Sequence, residues 1–153
     1  VLTSMAIQDS VVDGDSYFVA ELKSMKRLIQ KVEEEDFCYI FIDEILRGTN
    51  TVERIAASST LLLYLSRFGS LTMAATHDME LTTILKGTYD NYHFKESVTE
   101  GGVVFDYVLY PGPSNTRNAI LLMEAMQFPP AMVETSNRLV RDFESTNEWL
   151  HPC

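Results

Sequence analysis

The run Cys38-Tyr39-Ile40-Phe41-Ile42 stops abruptly at the adjacent carboxylates Asp43-Glu44 and continues as Ile45-Leu46-Arg47-Gly48-Thr49-Asn50-Thr51. A near-continuous β-branched and aromatic run is the pattern of a buried parallel strand, and in open α/β sheets ligands sit just beyond the carboxyl ends of such strands. Asp43 and Glu44 fall at that edge. A first carboxylate there can hold Mg²⁺ through its waters, and a second can polarise the water that attacks a γ-phosphate, which is the division of labour phosphoryl transfer requires. The dipeptide alone equally describes a strand end closed by two solvated acids. Further along, Leu71-Thr72-Met73-Ala74-Ala75 is a second short apolar strand, and it ends in Thr76-His77-Asp78. A histidine so placed can hydrogen-bond a γ-phosphate or the attacking water while staying largely neutral near pH 7.

The rest of the chain organises around these two strand ends. Val1 to Met5 is a candidate short strand, and Gln8 to Asp15 reads as a loop. From Tyr17 to about Glu33, Phe18, Leu22, Met25, Ile29 and Val32 recur at helical spacing, predicting one apolar face, with Asp15 or Ser16 as N-cap. A helix start with unpaired N–H groups and a serine hydroxyl is a ready anion site. Asn50 or Thr51 starts a second helix running to about Arg67, with Val52, Ile55, Ala56, Leu62 and Leu63 as its expected buried side. Thr76 or Asp78 caps a third through Lys86. Tyr92 to Val98 and Val103 to Tyr110 alternate around Thr99-Glu100-Gly101-Gly102 as a hairpin. After Pro111-Gly112-Pro113, helices are expected over about Thr116 to Met126 and Pro130 to Ser145, the second striped by Met132, Val133, Leu139, Val140 and Phe143. Their acids, Glu124, Glu134, Asp142 and Glu144, argue for packing or dimerisation rather than reading DNA.

With 153 residues and 46% hydrophobic side chains, one compact core is the default. The apolar run Leu61 to Leu65 falls far short of the roughly 18 residues a membrane span needs, and no signal peptide is seen. Cys38 and Cys153 make neither a disulfide framework nor a metal spacing, so a reducing cytoplasm is the expected setting. The formal charge of −10 argues against this piece gripping a phosphate backbone by itself. No G-x-x-x-x-G-K-[ST] loop occurs.

Three segments taken in order resemble the ATPase domain of the DNA mismatch repair MutS family: Ser16-Tyr17-Phe18-Val19-Ala20-Glu21-Leu22, then Phe41-Ile42-Asp43-Glu44-Ile45-Leu46-Arg47-Gly48-Thr49-Asn50-Thr51, then Ala75-Thr76-His77-Asp78-Met79-Glu80-Leu81. The resemblance covers nearly the whole chain. It implies an α/β fold, part of a P-loop ABC-type ATPase, with a mixed sheet flanked by helices and a C-terminal helical pair. It divides the chain into an ATPase portion over 1–113 and a helical segment over 114–153. The first segment becomes the signature loop, the second the Walker B strand and D-loop, and the third the histidine switch. An LSGGQ-like signature of generic ABC transporters is lacking. The implied site has Glu44 and His77 as catalytic groups, Asp43 on the metal, and Ser16, Thr49 and Asn50 at the nucleotide, with ATP and Mg²⁺ as cofactors. The implied protein is a homodimer that holds DNA through domains absent from this chain, which then reads as the carboxyl-terminal fragment of a longer protein. Departures are Leu46 where a glycine is usual, Tyr17 in place of a threonine, and Asp78 in place of an aromatic. A noncatalytic dimerisation or regulatory domain that kept the fold is the alternative.

Overall fold

The computed structural model describes residues 1–5, 17–99, 102–114, 118–149 and 151. The expected N-cap at Asp15 or Ser16, the loop over 8–15, the hairpin tip at Glu100-Gly101 and the expected helix start at Thr116 lie outside these residues. The chain divides into two compact units, Val1–Asp90 and Asn91–Cys153, and its architecture is α/β.

In the first unit, β1 (Leu2–Ser4), β2 (Tyr39–Asp43) and β3 (Leu71–Ala75) form a sheet in that order, with both pairings parallel. The chain returns from each strand to the next through a helix, α1 (Tyr17–Glu34) and then α2 (Thr51–Leu65), which is what parallel pairing demands of a connection. A short helix, α3 (Glu80–Ile84), follows β3. The expected single mixed sheet is not what forms among the described residues. The antiparallel strands belong to the second unit and pair there among themselves, leaving a purely parallel sheet in the first.

One face of this sheet makes the core. Register puts Leu2, Ile40 and Thr72 in one row and Ser4, Ile42 and Ala74 in the next. Ile40 and Ile42 are buried in a cluster with Met25, Leu28 and Val32 of α1, Leu62 and Leu65 of α2, and Leu81 and Leu85 in and beside α3. Each such side chain contributes about 1.5–3 kcal/mol on leaving water. The opposite face stays open: Leu71 is 51% and Met73 52% exposed, and Tyr39 lies beside Leu71. The expectation of a strand buried on both sides is therefore corrected, because the core-forming residues of all three helices gather on the Ile40 face.

The buried stripe of α1 also differs from the one its hydrophobicity predicts. Leu22 is exposed and Leu28 buried, with Glu21 and Ser24 joining Met25 and Val32 inside. Polar side chains occupy this face because both find partners there: Ser24 Oγ lies 3.1 Å from Ser4 Oγ, and Glu21 is bonded as described below. On α2, Val52 and Leu63 are exposed and Ala56 is too, while Ser58, Ser59, Leu62 and Leu65 are buried. A serine or alanine carries too little apolar area for its spacing to reveal the inner face.

In the second unit, β4 (Tyr92–His93) pairs with β7 (Tyr110–Pro111), and β5 (Glu96–Thr99) with β6 (Gly102–Phe105), all antiparallel. The expected hairpin is thus two ladders whose registers differ by two residues. Asp106 explains the break: its carboxylate accepts from the Val108 N–H at 2.9 Å and the Tyr110 hydroxyl at 2.8 Å, folding the return strand into a turn with Tyr107 at φ +56°. Helices α4 (Ala119–Ala125) and α5 (Pro130–Thr146) close the unit. On α5 only Val133 of the expected stripe is buried, and Met132 is exposed. Among the described residues no helix is long and apolar enough to cross a membrane.

Candidate functional site

Parallel register sets the carboxyl ends of β2 and β3 side by side, with Asp43 opposite Ala75. The Glu44 N–H donates to the Ala75 carbonyl at 2.9 Å, so the ladder runs one residue past the strand and the chain then turns away. Asp43 is left exposed on the open face of the sheet. Its hard oxygen donors suit Mg²⁺, which takes one or two carboxylates and completes its shell with water and phosphate oxygens. Among the described residues no three His, Cys, Asp or Glu side chains come together into a protein-only metal cage.

The turn from Glu44 to Gly48 departs from ordinary backbone. Glu44 has φ +53° and Leu46 φ +56°, and neither residue is a glycine. Such conformations cost about 1–3 kcal/mol each and persist only where the surroundings over-determine them. Burial of Ile45 and Leu46, 2% and 3% exposed, contributes about 1.5–3 kcal/mol apiece and offsets that cost. The left-handed backbone that a glycine, the residue the resemblance implies here, would adopt freely is thus held by a buried leucine.

The left-handed twist at Glu44 brings its carboxylate, 23% exposed, to the end of β3. His77 Nε2 lies 3.2 Å from Glu44 Oε1, with the imidazole itself 93% exposed. Arg47 Nε sits against Glu44 Oε2 as an ion pair lacking hydrogen-bond geometry. The Asp43, Glu44 and His77 positions expected from sequence therefore converge at one sheet edge. Thr49 and Asn50 lie at the far end of the same turn, and both support α2: Asn50 Oδ1 accepts from the Glu53 N–H at 3.0 Å, and the Thr49 hydroxyl donates to Glu53 Oε2 at 3.2 Å. Ser16 is outside the described residues.

Neither Thr76 nor Asp78, the two residues expected to cap α3, does so. Met79 occupies the N-cap position without a side-chain bond, and the Asp78 carboxylate receives two bonds from Arg54 of α2, at 2.8 Å from Nε and 2.6 Å from Nη2. The Asp78 side chain is 9% exposed and that of Arg54 23%. That bond, more than any other influence, holds the guanidinium's proton more tightly than usual. The Asp78 N–H is bonded to Thr76 Oγ1 at 3.0 Å, so both neighbours of His77 are fixed while its ring reaches into solvent.

Sequence reasoning passed over Arg47, Arg54 and Glu21. For Glu21 a signal was present, since it stands four residues before Met25 and seven before Leu28, on the stripe that is buried. A charged residue in such a stripe marks a satisfied polar contact.

The family described as MutS domain V matches residues 1–144. "DNA mismatch repair protein MutS 2" of Haloarcula marismortui is 30% identical over 96% of this chain and 16% of its own length. "DNA mismatch repair protein MutS" of Thermus thermophilus is 26% identical over 97% of this chain and 18% of its own length, and that of Chloroflexus aurantiacus is 28% identical over 100% and 16%. The chain thus spans less than a fifth of these relatives.

Proposed function

The chain belongs to the MutS family, through its domain V, and on that premise we propose that it is the part of a P-loop ABC-type ATP hydrolase that carries the metal ligand, the general base and the switch histidine. The observation that carries this reading is the convergence of Asp43, Glu44 and His77 at adjacent parallel strand ends, with His77 Nε2 3.2 Å from Glu44 Oε1. Asp43 offers its exposed oxygens to Mg²⁺, which when bound would neutralise charge on the phosphates. Glu44 accepts the proton of the attacking water, and it reaches that water once one of its oxygens is released from Arg47 or His77. His77, held at its base by Thr76 and Asp78, keeps its Nε2 where it can orient the water or contact the terminal phosphate.

Thr49 and Asn50 form the nucleotide-facing rim of the turn, anchored by their bonds to α2, and Ser16 serves the nucleotide bound by a second subunit. No G-x-x-x-x-G-K-[ST] sequence occurs in these 153 residues, so the phosphates are cradled by residues outside them, and the chain by itself is expected to show neither ATP binding nor hydrolysis. In the whole protein we place the ATPase as a homodimer in the cytoplasm, coupling nucleotide turnover to DNA held by other domains. This agrees with the −10 charge of this piece.

A noncatalytic reading draws on the engagement of both Glu44 oxygens. The two readings part at Glu44→Gln in the full-length protein. Loss of a positioned base slows hydrolysis by about 10²–10⁴-fold while ATP binding, followed by calorimetry, stays nearly intact; unchanged turnover refutes the hydrolytic reading.

A further inference from the structure

Glu21 is 3% exposed and lies on α1, and the chemistry above assigns it no role. Its two carboxylate oxygens accept from two successive backbone N–H groups of the turn after β2, Arg47 at 3.1 Å and Gly48 at 3.0 Å. Burying a carboxylate costs several kcal/mol unless its oxygens are satisfied, and these partners belong to backbone, which a carboxylate fixes in place rather than merely neutralises. One turn earlier on the same helix, Phe18 touches the same turn. A Cβ on Gly48 would sit 2.8 Å from Phe18 Cβ and 2.9 Å from Phe18 Cα, so helix and turn meet backbone to backbone.

Between them, Glu21 and Phe18 grip the turn at the point where it leaves the left-handed residues Glu44 and Leu46 and enters Thr49 and Asn50. Opening this grip frees the only segment joining Glu44 to α2. We infer that Glu21 is a positioning residue: through the N–H groups of Arg47 and Gly48 it locks the turn to α1, so that the aim of the Glu44 carboxylate, and with it the hydrolytic step, depends on a buried carboxylate that touches neither water nor phosphate. The inference rests on the hydrolytic reading above and adds the residue that enforces its geometry.

The test uses the full-length protein with Glu21→Gln, Glu21→Ala and, as control, Glu44→Gln. A glutamine keeps one acceptor and sets an amide N–H₂ against the other backbone donor; an alanine leaves both donors without partners. Since a misplacement near 1 Å costs about 10²-fold in rate, kcat is expected to fall in the order Glu, Gln, Ala, by about 10-fold and then about 100-fold. KM for ATP should stay within about threefold, the pattern of an interaction that matters in the transition state only. Melting temperature is read on the same samples. If kcat holds at a temperature where every variant is folded, or if KM rises with kcat unchanged, Glu21 is a structural group only and the inference is overturned. If Glu44→Gln abolishes turnover while the Glu21 variants keep theirs, the inference alone fails. If Glu44→Gln leaves turnover intact, the hydrolytic reading fails and takes this inference with it.

Discussion

Replacing Gly48 by alanine sets two effects of opposite sign against each other. At an unstrained site, Gly→Ala stabilises a protein by about 0.4–1 kcal/mol because the unfolded chain loses freedom. Gly48 is not among the residues at positive φ, so backbone conformation does not oppose the change. Space does: the new Cβ would stand 2.8 Å from Phe18 Cβ, 2.9 Å from its Cα and 3.1 Å from its backbone nitrogen. Two of those three atoms are main chain, and the third is fixed to it, so no rotamer change at Phe18 relieves the clash. Overpacking of this kind costs about 1–3 kcal/mol, and the difference leaves a net loss near 1–2 kcal/mol. Native-state hydrogen exchange on the protein containing this chain reads it directly, as a roughly 5–30-fold loss of protection at the amides from Ile45 to Asn50. Phe18→Ala keeps its Cβ and should not rescue the variant. Unchanged or increased protection in Gly48→Ala would show that α1 and the turn are not in backbone contact, and the grip described above would be lost with it.

Arg54→Leu and Asp78→Asn should each destabilise by about 1–2 kcal/mol, below the 3–5 kcal/mol of a fully buried pair because Arg54 keeps 23% exposure. A double-mutant cycle should return a coupling near 1 kcal/mol, and strict additivity would mean the pair contributes nothing. The Asp106 carboxyl is held below the usual carboxylate range, first by the Val108 N–H and then by the Tyr110 hydroxyl. Its folded value being depressed, the turn it makes is fully supported above the unfolded carboxyl's titration and loosens as pH falls through the folded one. NMR of the Val108 amide against pH should show this, and Asp106→Asn should erase it; an unchanged titration in Asp106→Asn would assign the effect elsewhere. Full-length protein carrying Ser16→Ala, mixed with full-length protein carrying Glu44→Gln, should regain part of the lost hydrolysis, because the mixed dimer collects both lesions in one site. Heterodimers that form without restoring activity would place Ser16 in its own subunit, or limit it to a helix cap.

Much of the first unit was legible because its determinants are local. The strand ends at Asp43 and Ala75 follow from where apolar runs stop, and the start of α2 follows from Asn50, whose side-chain amide oxygen accepts from the Glu53 N–H within the same turn. The order strand, helix, strand then implies parallel pairing, and parallel pairing sets the residues that follow the two strands at one edge. Membership of the MutS family was legible in the same segments.

Tertiary structure decided what depends on partners distant in sequence. Glu21 has no partner in its own helix that its spacing would name; the backbone N–H groups of Arg47 and Gly48, 26 and 27 residues later, supply it. Their arrival turns the buried stripe of α1 toward Leu28 and away from Leu22. Asp78 reads as a helix cap until Arg54, 24 residues earlier in the chain, claims both of its oxygens. Leu46 reads as a departure from glycine until the core buries it at positive φ. In each case the residue's own chemistry permits several partners, and a pattern of hydrophobicity cannot rank them. The choice falls to the packed chain, where a buried polar group must be satisfied by whatever donor or acceptor the fold brings within 3 Å or so of it.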